Sequence, residues 1–313
     1  MRTFTTVMYH YVRDTEQTLY PGLKTRSVSE FKGQLDYLER HYEFVKIEDI
    51  VACLDGDEER LPENGVLLTF DDGYLEHYET VFPLLRERGI QGVFFPPAKP
   101  VIERHVLDVN KIQFILGTEP NLQVLIDAVN AAVIDNQKEY SLNSPEEYWV
   151  NHANPYRYDS AEVIFFKRML QVVLPLELRT KILADLFEAH ITKNEKDFAD
   201  GLYMNADHLR EMKSAGMALG SHGDTHRWLN SLSQQEQHQE ISTSLKFLQT
   251  LGVSVREWII CYPYGGYNDN LVELIQGLGC RIGFTVEPGI SNLDEQNPLC
   301  LSRLDTNELP KTL

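Results

Sequence analysis

Val66-Leu67-Leu68-Thr69-Phe70-Asp71-Asp72-Gly73 is the stretch on which the reading of this chain turns. Its first five residues form a run in which apolar and polar positions do not alternate. A strand of that kind expects burial on both faces, as in a parallel sheet flanked by helices. Two carboxylates follow at once, and Gly73 allows the chain to turn tightly. Adjacent carboxylates at the end of a buried strand repel each other. A bound cation is the simplest offset. The plainer alternative is an Asp-Gly turn in which one carboxylate caps the backbone.

The same rhythm extends outward. Short apolar runs at residues 5–9, 66–70, 92–95, 218–221, 258–262, 281–285 and 299–301 read as strands, and helical patterns fall between them. Ser27-Val28-Ser29-Glu30 and Ser233-Gln234-Gln235-Glu236 have capping-box spacing and open two of the helices. Asn205 and Asn268 start two more, and a fifth stops at Gly89. Such alternation is the mark of a parallel β/α architecture. Residues 104–201 break it and read as mostly helical, for example over 122–133 and 161–173. The expected organisation is therefore a β/α domain from 1–103 and 202–313 with a helical insertion at 104–201. That insertion is either a structural or oligomer-forming excursion or a lid over a site.

Composition narrows the function. Apolar residues make up 42% of the 313, enough for a sizeable core. The net charge of −18 disfavours nucleic acid and anionic membrane surfaces as partners. Cys53, Cys261, Cys280 and Cys300 are far apart and read as small buried hydrophobes in a reducing compartment. The N-terminus has no apolar core of a signal peptide, and no run reaches the ~18 residues of a membrane span. A cytoplasmic location without membrane insertion is the expectation.

In parallel α/β folds the functional loops lie at the C-terminal strand ends. Besides Asp71-Asp72, two such ends stand out. Gly220-Ser221-His222-Gly223-Asp224-Thr225-His226 carries two histidines four residues apart, with a glycine that lets them converge on one ion. A solvated loop is the alternative, and Asp224 is a candidate to orient one histidine. Cys261-Tyr262-Pro263-Tyr264-Gly265-Gly266 offers a turn with exposed N–H groups and an aromatic wall, or only a turn.

Together these segments resemble the polysaccharide deacetylase family, carbohydrate esterase family 4. The segment from Thr69 to Gly73 is similar to its Thr-Phe-Asp-Asp-Gly motif, His222 and His226 to its His-x-x-x-His motif, and Pro263-Tyr264 to its third motif. The resemblance implies a distorted, incomplete (β/α) barrel of about seven strands. It implies Asp71 as catalytic base, and Asp72, His222 and His226 as ligands of one divalent ion, Zn²⁺ by default. It also implies Pro263 and the backbone N–H of Tyr264 at the substrate, the latter on the developing oxyanion.

The chain departs from the pattern at three places. Gly223 stands where the family has Ser or Thr. Cys261 stands where an arginine commonly pairs with the catalytic aspartate; Arg303 is the candidate replacement, an unrelated ion pair its alternative. No histidine follows His238, so the late Leu-x-His motif is missing. Met8-Tyr9-His10 is similar to a branch in which a histidine after the first strand serves as acid, which nominates His10. The expected function is removal of an N-acyl group, acetyl or formyl, from an amino sugar in a precursor of a surface polysaccharide. A cyclic imide or ureide hydrolase, a non-catalytic carbohydrate-binding relative and an iron oxygenase with a facial triad are the alternatives.

Overall fold

The computed structural model describes residues 2–14, 19–155 and 159–310. The extreme ends of the expected β/α segments, residues 15–18 and residues 156–158 of the expected insertion lie outside the described residues. The strands are β1 (Thr3–Tyr9), β2 (Glu43–Phe44), β3 (Gly65–Asp71), β4 (Gly92–Phe95), β5 (Ala218–Leu219), β6 (Trp258–Cys261), β7 (Cys280–Pro288), β8 (Ser291–Asn292) and β9 (Leu301–Asp305). Seven form a wall in the order β5-β4-β3-β1-β9-β7-β6, all parallel. β2 extends beside β3, and β8 lies antiparallel to β1.

The two ends of the wall meet through one residue. Ser221 N donates to Ile259 O at 2.8 Å, and Cys261 N donates to Ser221 O at 2.9 Å. The result is the expected incomplete (β/α) barrel, nearly closed. Gly220 makes that contact possible. A β-carbon there would fall 2.4 Å from the Phe95 ring and 2.7 Å from Ile259.

Side chains alternate across the wall, as strand geometry requires. Leu67, Val93, Phe95, Ile259, Cys261, Ile282, Phe284 and Leu301 share one buried cluster. Val7, Tyr9, Val66, Leu68, Phe70 and Phe94 pack on the opposite face with Phe31, Leu35 and Leu38 of the helix Val28–His41. Period two then carries Thr69 and Asp71 to the same face as Leu67, and Arg303 to that of Leu301. Four polar groups are thereby stacked at one end of an otherwise apolar interior: Thr69, Asp71, Cys261 and Arg303.

The helix signals hold. Ser27 and Ser233 close capping boxes, and Asn205 and Asn268 accept the first free N–H groups of their helices. Gly89 ends the helix Phe82–Arg88 in the left-handed region. The strand expected over 218–221 shortens to Ala218–Leu219, β2 and β8 have no counterpart among the expected strands, and the last strand is displaced. The last one is Leu301–Asp305 and not residues 299–301. Cys300 N instead closes a turn onto Asn297 O. The true strand carries a charged residue on its inward face, so it is not an apolar run.

Thr15–Lys24 and Val106–Phe198 form a second compact unit, while Met1–Asp14, Thr25–His105 and Ala199–Leu313 form the barrel unit. The described residues of the second unit build helices that include Asp108–Thr118, Leu122–Asn136, Ala161–Arg168 and Leu176–His190. Its core includes Leu125, Val129, Val133, Phe165, Leu183 and Phe187, and buried Lys111 pairs with Glu195 at 3.0 Å. Among the described residues no helix is long and apolar enough to cross a membrane.

Candidate metal centre

The first two strand ends converge. Asp72 Oδ1 lies 3.4 Å from His222 Nε2 and 3.2 Å from His226 Nε2. All three side chains are buried, and this Oδ1 has no hydrogen-bond partner. An ion bound tetrahedrally at about 2.1 Å separates its ligand atoms by about 3.4 Å. The spacing therefore fits one divalent ion at Asp72, His222 and His226. A buried carboxylate oxygen facing two imidazole nitrogens is a donor set that suits a divalent ion.

The surroundings set the orientation of these side chains. Tyr74 OH donates to Asp72 Oδ2 at 2.6 Å and leaves Oδ1 to face the histidines. His222 Nδ1 donates to Cys261 O at 2.7 Å, which fixes the tautomer with its lone pair on Nε2. Asp72, His226 and Tyr264 have φ of 71°, 56° and 57°, a region non-glycine residues seldom adopt. Such conformations collect at functional sites. Gly73, at φ 71°, has no room for a side chain, since a β-carbon would lie 2.9 Å from Pro96.

Asp71, His222 and Cys261 make a second cluster of potential ligands. It is the poorer one. Arg303 NH1 and NH2 donate to Asp71 Oδ1 and Oδ2 at 3.0 and 2.8 Å, occupying both oxygens. Burial pushes the Cys261 thiol well up, so it stays protonated.

Arg303, the candidate replacement for an arginine at position 261, lies against both Asp71 and Cys261. Its other contacts are Nε to Thr285 O at 2.8 Å, NH1 to Thr69 Oγ1 at 3.1 Å and NH2 to Cys261 Sγ at 2.9 Å. All five guanidinium N–H groups thus have acceptors. The small Cys261 side chain leaves the space that the guanidinium fills from β9. Burial opposes ionisation of Asp71, but Arg303, followed by His222 and His10, outweighs it and brings the carboxyl to about 2. The repulsion expected between the adjacent carboxylates is therefore met on Asp71 by Arg303, while Asp72 faces the two imidazoles.

His10 also reaches this end of the barrel. Its Nε2 lies 3.8 Å from Asp71 Oδ2 with the side chain 41% exposed, and its carbonyl accepts from His77 Nε2 at 2.7 Å. Pro263 is buried, and the Tyr264 ring stacks on Trp228 at 4.8 Å and meets His226 edge-on at 4.6 Å. Asp224 does not orient a histidine as expected. His222 Nδ1 goes to Cys261 O, and His226 Nδ1 has no hydrogen bond. The Asp224 backbone N–H donates to Glu240 instead, and burial with Glu240 nearby pushes the Asp224 carboxyl up to about 6. Sequence reading missed Tyr74, Trp228 and Glu240. Tyr74 and Trp228 lie two residues beyond Asp72 and His226, a signal too common to single them out.

A parallel barrel with a buried Asp-His-His cluster beside an arginine-paired carboxylate is the frame of a metal-dependent hydrolase. Residues 58–118 and 186–283 match the family described as polysaccharide deacetylase, and the chain belongs to that family. It is 30% identical over 290 residues to YxkH of Bacillus subtilis (strain 168), a protein named for the polysaccharide deacetylases. The match covers 92% of this chain and 66% of YxkH, so the chain spans just under two thirds of that relative. The fold is similar to that of the Streptococcus pyogenes deacetylase PplD in complex with acetate, with TM-score 0.60 and 17% identity over 97% of this chain and 92% of that one. It is also similar to the deacetylase domain of BpsB from Bordetella bronchiseptica, with TM-score 0.58 and 18% identity over 97% and 96%. A third is the de-N-acetylase from Aggregatibacter actinomycetemcomitans, with TM-score 0.54 and 19% identity over 97% and 95%.

Proposed function

We propose that this protein removes an N-acyl group, acetyl or formyl, from an amino sugar in a precursor of a surface polysaccharide, using one divalent ion, Zn²⁺ by default. The observation that carries the proposal is the Asp72-His222-His226 cluster, whose unpaired Oδ1 faces two imidazole nitrogens 3.4 and 3.2 Å away. Bound there, the ion would polarise the acyl carbonyl and acidify water. Asp71 accepts the proton of the attacking water. Arg303 favours its ionised form and occupies both of its oxygens, which supports a base over a ligand. His10, open to solvent on one side and 3.8 Å from Asp71, donates a proton to the departing amine. The Tyr264 N–H supports the oxyanion, and the Tyr264–Trp228 stack offers an apolar wall to the sugar. The de-N-acetylase and deacetylase names of the structural relatives support an N-acyl substrate.

The test is a panel of N-acetyl and N-formyl amino sugars, their nucleotide conjugates and short oligomers, assayed by released amine. Turnover that disappears on chelation and returns with Zn²⁺ is the expected result. Cyclic imides or ureides turning over while every amino sugar is inert would overturn the substrate class.

A further inference from the structure

The helix Gln234–Thr250 buries three polar side chains on one face. Gln237, Glu240 and Ser244 are spaced by three and then four residues, and all are hidden from solvent. A core-facing stripe is normally apolar, as Ile241 and Leu248 are on this helix. Each of the three polar groups instead meets the segment that carries His222 and His226. Ser244 Oγ lies 2.8 Å from Ser221 Oγ, which also accepts Gly223 N at 3.2 Å. Glu240 Oε2 accepts Asp224 N and Thr225 N, both at 2.9 Å, and its Oε1 accepts the Thr225 hydroxyl. Gln237 Nε2 donates to Leu229 O at 2.9 Å. The segment is tied to one helix at its beginning, middle and end.

Two details make Glu240 central. Two of its three bonds go to Thr225, whose successor His226 is held at φ 56°. A strained residue keeps such a backbone only while its surroundings impose it. The second detail is Gly223, where the resembling family has a hydroxyl. A β-carbon there would lie 3.3 Å from Glu240 Oε2, at φ 72°. The carboxylate of Glu240 occupies the space beside this position and takes over the anchoring of the loop through charge-assisted bonds.

We propose that Gln237, Glu240 and Ser244 act as a template that sets the separation of the two histidine ligands, with Glu240 as the positioning residue on which metal affinity depends. This rests on the metal-site reading above. It assigns to a helix outside the barrel wall the role that sequence motifs assign to the loop alone.

The experiment uses the full chain with Glu240→Ala, Glu240→Gln and, as a control, Leu248→Ala. Leu248 is a fully buried residue of the same helix. Zn²⁺ affinity is read by competition with a chromophoric chelator, stability by thermal unfolding of the metal-free proteins, and loop order by hydrogen exchange at the Asp224 and Thr225 amides. Glu240→Ala should weaken Zn²⁺ by about 10–100-fold, the range for residues that orient metal ligands, and should unprotect both amides. Glu240→Gln should recover most of both. Its amide oxygen still accepts the two N–H groups, while its NH₂ faces the Thr225 hydroxyl, which then becomes the acceptor. Leu248→Ala should lower the melting temperature and leave Zn²⁺ affinity unchanged. Wild-type affinity in Glu240→Ala, or an equal loss in Leu248→Ala, would overturn the template. A wild-type chain that takes up no Zn²⁺ overturns the metal reading instead, and the two amides then still decide whether Glu240 holds the loop.

Discussion

Arg303→Leu tests the barrel's polar layer most directly. Arg303 heads the fully buried side chains by volume, and its five N–H groups reach Asp71, Thr69, Thr285 and Cys261. Leucine restores much of the volume and none of the charge. Asp71 would then be a buried carboxylate that has lost both of its guanidinium hydrogen bonds. Breaking a buried pair from one side costs about 3–5 kcal/mol, a large part of the roughly 5–15 kcal/mol that holds a domain together. Cys261→Arg alone forces a second guanidinium into filled space, and overpacking of that kind costs about 1–3 kcal/mol before charge repulsion is added. The double variant puts one guanidinium back, from β6 in place of β9. If Arg303 stands in for the arginine that the family carries at the Cys261 position, the double variant is more stable than either single one. The coupling should be at the upper end of the roughly 0.5–3 kcal/mol seen for groups in contact. The assay is urea unfolding at pH 7 of the wild type, the two single variants and the double variant, with turnover measured on each. Losses that add would refute the exchange of roles, because independent sites add and substitutes do not.

Four further outcomes follow from the same geometry. Asp71→Asn should keep bound metal and lose about 10²–10⁴-fold in turnover, the usual contribution of a positioned base; metal content measured with kcat decides this, and loss of metal would mean that Asp71 and Asp72 have exchanged roles. His226→Ala should abolish stoichiometric Zn²⁺ uptake, checked by metal analysis after dialysis, while a variant still binding one tight ion would remove His226 from the ligand set. His10→Ala should slow amide hydrolysis much more than hydrolysis of an activated ester, whose leaving group needs little protonation; equal losses would make His10 structural. In the helical unit, burial opposes ionisation of Asp159, but hydrogen bonds from Lys167 and Lys24 win and hold its carboxyl below the ordinary range. A depressed folded value means that its stabilisation is present above the unfolded value, near pH 4, and is lost as pH falls through the lower folded value; urea titrations at falling pH should show a shallower acid-side loss in Asp159→Asn, and parallel curves would contradict the assignment.

Much of the barrel was legible because its signals are local. Residues 66–70 show no apolar–polar alternation because the strand is buried on both faces, and Ser27, Asn205, Ser233 and Asn268 each satisfy the helix that follows them. The Asp72-His222-His226 cluster was legible for a related reason. A parallel strand exposes function at its C-terminal end, so Asp71-Asp72 and the His222–His226 segment announced themselves by position as well as by type. The chain near residue 300 was not legible. Leu301–Asp305 puts Arg303 inside, and a strand with an inward charge has neither the apolar run nor the alternation by which strands are recognised.

That failure has a physical source that also explains Tyr74 and Glu240. A charge can face a barrel interior only if its partners arrive from other strands, and Arg303 receives its acceptors from β3, β6 and β7. Nothing within a few residues of position 303 in sequence records those partners. Glu240 likewise reads as an ordinary charged helix position until the fold brings the Thr225 amide to it. Local sequence therefore specified the groups that would touch an ion, because strand ends gather them. The groups that hold those in place are fixed by pairings across the barrel. The charge beside Asp71 is a case of this: the layer constrains where the guanidinium must be, and β9 is the strand that supplies it.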